Sequence, residues 1–321
     1  MNIKYILIVL GEPYSTFSEI IGKYFIKEKT FKEKIILIGN INLLNKQLKK
    51  LNYFLKLNEI KNLNEAKNNT INIINVKFNH KKVFSNISSK SNIYIKEAFD
   101  TSLKILKNKH KECILINGPI SKKTFLNKKY LGMTEYLAKK TKVNNEIMLI
   151  YNEQLSVSPL TTHIPIKHVS NKISKQKIKK NIEKINYFYE KIFKKKVKIA
   201  VLGLNPHCET TDKFSEEEKI ISPAIKSLKN KGLNIKGPFS ADTFFLRENI
   251  KKYDVVIGMY HDQVLTPLKT LYNFNAINIT LGLPFIRISP DHGPNSNMLG
   301  KNKSDPSSFF YAMNFIKRIN S

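Results

Sequence analysis

Short, almost wholly apolar runs recur along this chain, and each closes on a turn-forming or polar cluster. Ile3 to Leu10 runs into Gly11-Glu12-Pro13, and Ile35 to Ile38 into Gly39-Asn40. Cys113 to Ile116 runs into Asn117-Gly118-Pro119, Val197 to Leu204 into Asn205-Pro206-His207, and Val255 to Met259 toward His261-Asp262. Runs of this length without polar alternation read as strands buried on both faces, the signature of a parallel sheet. Between them lie stretches with helical spacing: up to Lys29, Ile41 to Leu55, and Asn92 to Asn108, with Ile95, Ala98, Leu103 and Leu106 as expected core positions. Further helices are predicted from Gly132, over Lys179 to Phe193, over Phe214 to Leu228, and over Ser307 to Ile319. Glu216, Glu217 and Glu218 fall in the first turn of the third of these, where carboxylates favour the helix dipole. Strand–helix alternation from end to end predicts an α/β fold. No internal repeat and no Pro-, Gly- or Ser-rich linker interrupts it, so two interleaved lobes are expected rather than successive domains.

Other segments are less regular. Residues 57 to 92 are Asn- and Lys-rich and read as short edge strands with a long surface loop. Glu146 to Tyr151 and Leu155 to Leu160 read as neighbouring strands, the second entering Thr161-Thr162-His163. Gly237 to Thr243 reads as a polar loop carrying Asp242.

Composition narrows the function classes. At 321 residues with 41% hydrophobic content, the chain can bury a large core. Lys and Arg number 55 against 25 Asp and Glu, a net charge of +30. Such a balance suits a nucleic-acid partner, because basic surfaces release counterions from phosphates. Here the lysines are scattered and no nucleic-acid-binding motif accompanies them, so the charge is read as compositional drift that fills exposed helices. The lysine run of 179 to 193 is read as a solvated face. Two cysteines, Cys113 and Cys208, make no disulfide framework, and a cytoplasmic location is expected. No stretch approaches the roughly 20 apolar residues of a membrane-spanning helix, and Tyr5 to Leu10 is read as a first strand, not a signal peptide.

Chemistry concentrates in Val255 to Gly293. Within this segment His261 and Asp262 end one strand, while Lys269, Asn278 and Arg287 are spaced evenly around a second, Ile277 to Leu281. Cations and an amide near strand ends suit a phosphorylated anion, whose oxygens they satisfy directly. His163, His207 and His261 each follow a predicted strand, and ligand sites of parallel α/β sheets lie outside the strands' carboxyl ends. The three imidazoles could therefore converge and leave open positions for substrate, as a catalytic metal requires; each taken alone is as well explained as a hydrogen-bonded loop residue. Asp262 and Asp242 could orient a ligand or handle a proton, or cap their loops. Ser121 could serve an anion or cap a helix, and Gly132-Met133-Thr134 opens a helix whose free N–H groups could bind phosphate. Cys208 beside His207 is read as a small packed residue rather than a fourth ligand. His292 could contact a cofactor or brace a turn.

Four stretches, GLNPHCE, KGPFSADTFF, MYHDQ and NITLGLPFIRISPDHG, resemble the 4-hydroxythreonine-4-phosphate dehydrogenase family of pyridoxal phosphate biosynthesis. The resemblance covers essentially the whole chain and is strongest from about residue 200. It implies an isocitrate/isopropylmalate dehydrogenase-like α/β fold, with two interleaved lobes (1–125 plus 295–321, and 126–294) and the active site in the cleft between them. It further implies one divalent ion (zinc, magnesium or cobalt) held by His163, His207 and His261. Substrate would be bound by Met133, Thr134, Lys269, Asn278 and Arg287, with Lys269 and Asp262 as candidates for the catalytic base. The implied reaction is NAD-dependent oxidation and decarboxylation of 4-phosphohydroxy-L-threonine to 3-amino-2-oxopropyl phosphate, in a homodimer with the active site near the interface. No G-x-G-x-x-G follows a strand, so NAD would be held by other loops, which the sequence leaves unidentified.

Three departures from the family pattern stand out. Met133 replaces a usual histidine, Tyr14-Ser15-Thr16-Phe17 replaces a glycine-rich turn, and Pro294-Asn295 replaces Thr-Ala. They keep open a weakened or inactive member, or a dehydrogenase of another 4-phosphorylated hydroxy acid. A metal-dependent hydrolase or lyase would use three histidines without NAD, and a nucleic-acid-binding protein would account only for the charge.

Overall fold

The structure, a computed structural model, describes residues 2–127, 130, 132–144 and 146–321. Its contacts divide the chain into one unit of Met1–Thr141 with Leu283–Ser321 and a second of Lys142–Gly282. The family resemblance places the divisions at 125/126 and 294/295.

The chain first lays down five parallel strands: β1 (Tyr5–Val9), β2 (Lys34–Gly39), β3 (Leu57–Ile60), β4 (Ile71–Asn75) and β5 (Cys113–Asn117), in the order β3-β4-β2-β1-β5. Ile6–Val9, Ile35–Ile38 and Ile114–Ile116 are all essentially fully buried, which is why these runs carry no polar alternation. Each such side chain contributes about 1.5–3 kcal/mol relative to exposure. Helices α1 (Phe17–Lys27), α2 (Ile41–Lys50), α3 (Asn92–Lys109) and α4 (Met133–Lys140) belong to this part. Ile95, Ala98 and Leu106 of α3 are buried and Leu103 is half-buried. Helix α2 stops at Lys50, short of the expected Leu55. Asn52 turns into the left-handed region at φ 61°, and the Tyr53 N–H bonds back to Leu48 O at 2.9 Å. The tyrosine ring then fills the space beside Gly22 of α1, where a Cβ would lie 2.5 Å from a ring carbon.

The second unit carries β6 (Ile147–Tyr151), β7 (Ser156–Thr161), α5 (Lys175–Phe193), β8 (Ile199–Leu202), α6 (Ser222–Lys229) and β9 (Ile235–Phe239). Two short helices, α7 (Ala241–Phe244) and α8 (Arg247–Ile250), precede β10 (Val255–Tyr260), α9 (His261–Tyr272) and β11 (Ile277–Leu281). Strand order is β11-β6-β7-β10-β8-β9, with β6 antiparallel to both neighbours and β7, β10, β8 and β9 mutually parallel. Helix α5 turns Ile178, Ile182, Ile185, Phe188 and Tyr189 inward and most of its lysines outward. Gly237–Thr243 is not the loop its composition suggested. Residues up to Phe239 pair with β8 (Ile199↔Ile235, Leu202↔Phe239), and Asp242 lies in α7. Proline is tolerated there because β9 is an edge strand.

The chain then returns to the first unit through β12 (Ile286–Pro290), parallel to β5 with Arg287 opposite Leu115, and α10 (Ser307–Ile319). Asn320 ties the two chain ends together. Its Oδ1 accepts the Ile3 N–H, and its Nδ2 donates to Ile3 O, both at 2.9 Å. Among the described residues no helix is long and apolar enough to cross a membrane.

Candidate active site

Strands β7, β10 and β8 are adjacent and parallel, with Tyr260 opposite Thr161 and Ile257 opposite Val201. Their carboxyl ends therefore share one edge of the second unit's sheet, and His163, His261 and His207 follow those three ends. The His163 and His261 rings are 5.7 Å apart between centroids. Two imidazoles bound to one tetrahedral ion at about 2.0–2.1 Å have ring centres roughly 5 Å apart, so this pair fits a shared metal. His261 opens α9, and its Nδ1 lies 2.6 Å from Asp262 Oδ1. A carboxylate only accepts, so in the neutral ring Nδ1 carries the proton and Nε2 keeps the lone pair a metal needs. Asp262 is thus placed to orient His261.

His207 is held differently. Its ring is 75% exposed and its Nδ1 lies 3.7 Å from Asp242 Oδ2. Asp242 also caps its own turn, accepting from Ser240 Oγ and from the Thr243 N–H at 2.8 Å. Among the described residues no three His, Cys, Asp or Glu side chains stand together in a metal-holding group. The backbone at His207 and Cys208 is left-handed, φ 56° and 62°, at a cost of about 1–3 kcal/mol per residue. Neighbouring contacts hold it there. Glu217, 3% exposed, accepts the Leu204 and Asn205 N–H groups at 2.7 and 2.9 Å and Asn205 Nδ2 at 2.9 Å. Burial opposes ionisation of Glu217, but these donors outweigh it and keep the carboxyl below its ordinary value. Cys208 is half-buried, and burial pushes its thiol pKa up, so it is a packed thiol rather than a thiolate ligand.

Lys269 lies on the exposed side of α9, its Nζ 5.7 Å from the Phe274 ring centre. Asn278 sits in β11 opposite Ile150, and its buried Oδ1 accepts no hydrogen bond among the described residues. An orphaned buried acceptor costs about 1–3 kcal/mol and is relieved by a donor such as an ammonium or hydroxyl group.

Arg287 and Thr134 meet in the first unit. Arg287, on β12 and 2% exposed, donates from Nε to Asn117 Oδ1 at 2.7 Å and from a terminal nitrogen to Thr134 Oγ1 at 3.4 Å. Thr134 is in the first turn of α4, behind Gly132, which makes no side-chain cap. The guanidinium thus lies beside the start of α4, and a cation next to a helix N-terminus is an arrangement suited to an anion. Burial pushes the Arg287 pKa down from 12.5 to about 10, with the Glu135 carboxylate opposing, so the group is still a cation at neutral pH. Met133, partly buried, packs against the apolar cluster below and brings no strong donor. Ser121 accepts the Thr124 N–H at 3.4 Å, the capping role.

This chain matches the family described as pyridoxal phosphate biosynthetic protein PdxA over residues 31–316. A 4-hydroxythreonine-4-phosphate dehydrogenase from Sulfurihydrogenibium sp. (strain YO3AOP1) is 38% identical, the match covering 97% of this chain and 98% of that one. The chain belongs to this family. It is an oxidoreductase of pyridoxal phosphate biosynthesis, as the shared family and its dehydrogenase relatives establish. A crystal structure of the 4-hydroxythreonine-4-phosphate dehydrogenase from Klebsiella pneumoniae superposes with TM-score 0.84 at 26% identity, over 99% of this chain and 100% of that one. Isocitrate dehydrogenase from Methylococcus capsulatus superposes at TM-score 0.51 and 10% identity over 99% and 86%, which shows a shared fold.

Three residues of this dehydrogenase were not singled out from its sequence: Asn117, which grips Arg287; Glu217, which holds the His207 turn; and Gln263, two residues after His261. The sequence shows Glu217 only as one of three adjacent glutamates, and nothing local marks it as the buried one. Asn117 and Gln263 carried no signal either, because their partners are 170 and 60 residues away.

Proposed function

We propose that the enzyme oxidises 4-phosphohydroxy-L-threonine at C3 with NAD and decarboxylates the product to 3-amino-2-oxopropyl phosphate. The observation that supports this reading is that His163, His207 and His261 each follow the carboxyl end of one of three adjacent parallel strands, with the His163 and His261 rings 5.7 Å apart. Those residues would hold a divalent ion (zinc, magnesium or cobalt), which when bound lowers the pKa of a coordinated alcohol and stabilises negative charge left by carboxylate loss. NAD when bound accepts the hydride.

The chain's own residues supply the rest. Asp262 orients His261. Arg287, Thr134 and the start of α4 bind an anionic end of the substrate, phosphate or carboxylate, through charged hydrogen bonds. Asn278 offers its unused Oδ1 to the substrate's ammonium or hydroxyl group. Lys269 lies on the same helix as His261, and it and Asp262 are the two candidates for the proton acceptor. His292 is read as a cofactor contact in the first unit: its ring is buried, its nitrogens make no well-formed hydrogen bond among the described residues, and burial pushes its pKa down to about 4 against weaker support from the Gly293 and His292 backbone. A neutral imidazole, with one donor and one acceptor, matches an amide or adenine edge. The reading extends to a cytoplasmic homodimer with the active site near the interface, in which exposed Ile166, Phe214 and Leu246 would be covered.

The test is an NADH absorbance assay with 4-phosphohydroxy-L-threonine, with and without chelator, beside a panel of other 4-phosphorylated four-carbon hydroxy acids. Chelator-sensitive NADH formation greatest with the amino acid is expected. Turnover without NAD, or preference for another acid, would replace the reading.

A further inference from the structure

The last paired residues between β10 and β8 are Ile257 and Val201. Beyond them β8 turns away: the Gly203 N–H bonds to Phe239 O at 2.9 Å. The connection between the two strands is taken up by one side chain, Gln263 in the first turn of α9. Its Oε1 accepts the Met259 N–H at 2.7 Å, and its Nε2 donates to Gly203 O at 2.8 Å. Met259 lies two residues before His261 and Gly203 four before His207. Both bonds are to backbone, so they set where the chain leaves each strand.

The space around the amide is shaped for it. A Cβ on Gly258 would come 3.1 Å from Gln263 Oε1 and 2.4 Å from Val264 Cγ1. A Cβ on Gly203 would lie 2.7 Å from Cys208 Sγ and 3.0 Å from Glu217 Oε1. Gly203, one of the two backbone partners, and Gly258, the residue before the other, thus sit in close contact that admits no side chain. Of the side chains of this length only glutamine presents an acceptor and a donor together. Glutamate would turn an oxygen toward the Gly203 carbonyl, and methionine would offer neither bond.

We propose that Gln263 is a positioning residue for the metal centre, bracing the ends of β10 and β8 so that His261 and His207 can close on one ion. This rests on the reading of His163, His207 and His261 as ligands. Glu217 secures the far side of the His207 turn; Gln263 secures it to the strand that bears His261. Outer contacts that orient ligands typically change metal affinity 10- to 100-fold.

The experiment is calorimetric titration of metal-stripped full-length protein with Co2+, with visible absorption reporting coordination, for wild type, Gln263→Met, Gln263→Glu and His261→Ala. Wild type should bind one ion per chain and His261→Ala should not. Gln263→Met should bind 10- to 100-fold more weakly with an altered cobalt spectrum, while its metal-free melting temperature stays within a few degrees of wild type. Its activity should return as metal is raised to saturation. Wild-type affinity and spectrum in Gln263→Met would overturn the bracing role and leave the metal reading standing. Equal binding by His261→Ala and wild type would overturn the metal reading, and the bracing role with it. If Gln263→Met does not fold, Gln263→Glu, which keeps the bond to Met259, decides by the same measurements: weaker binding supports the role, and wild-type binding overturns it.

Discussion

Replacing Arg287 by methionine separates its binding role from its structural one. Methionine keeps much of the side-chain volume between β5 and β12 and removes the charge. Burial holds the Arg287 pKa near 10 against 12.5 for an ordinary guanidinium, which corresponds to about 3 kcal/mol disfavouring the cation in the fold. For a base with a lowered folded pKa that cost is present in full below about pH 10, so at pH 7.5 methionine relieves all of it. Against this stand hydrogen bonds that include those to Asn117 and Thr134, at about 1 kcal/mol each, and an Asn117 oxygen left without its donor at about 1–3 kcal/mol. The sum lies within about 2 kcal/mol of zero, a shift of a few degrees in melting temperature for units of this size. Binding has no such compensation. Charged hydrogen bonds to phosphate or carboxylate contribute about 1.5–3 kcal/mol, so KM should rise roughly ten- to hundredfold. Calorimetry and steady-state kinetics on Arg287→Met should show a near-normal melt and a raised KM. A melt lowered by more than ten degrees or so with KM unchanged would refute the argument and make Arg287 a structural residue.

Three further outcomes are expected. His207→Ala should lose bound metal and activity while keeping its circular dichroism spectrum; full metal occupancy in the folded variant would remove His207 from the site. Met133→His should lower KM about two- to tenfold, the value of one added hydrogen bond of about 0.5–1.5 kcal/mol, and an unchanged or higher KM would mean the start of α4 does not face the substrate. Burial raises Glu12, one of whose oxygens has no partner, from 4.5 to about 7. An acid with a raised folded pKa stabilises while protonated, so about 3 kcal/mol present below pH 4.5 is lost as pH climbs to about 7. Glu12→Gln should therefore flatten the melting-temperature profile between pH 4.5 and 7 and be the more stable protein at pH 8; a profile parallel to wild type would show that Glu12 ionises freely.

The elements of this enzyme were written locally. Ile6–Val9, Ile35–Ile38 and Ile114–Ile116 are apolar without alternation because both faces are covered, and that pattern can be read from a few consecutive residues. The strand-end positions of His163, His207 and His261 followed from the same signal, as did α10 to the residue. What the local pattern could not carry was strand order. Only the folded chain makes β10 the neighbour of both β7 and β8, sets β12 against β5, and turns Gly237–Phe239 from an apparent loop into a paired edge strand. The contacts that position the site depend on that order: Arg287 on Asn117, Gln263 on Gly203, and Glu217 on the backbone of Leu204 and Asn205. Each is a hydrogen bond whose partner is fixed by adjacency in space, and hydrophobic periodicity, which reports only which face of an element is buried, contains no information about which element lies beside it.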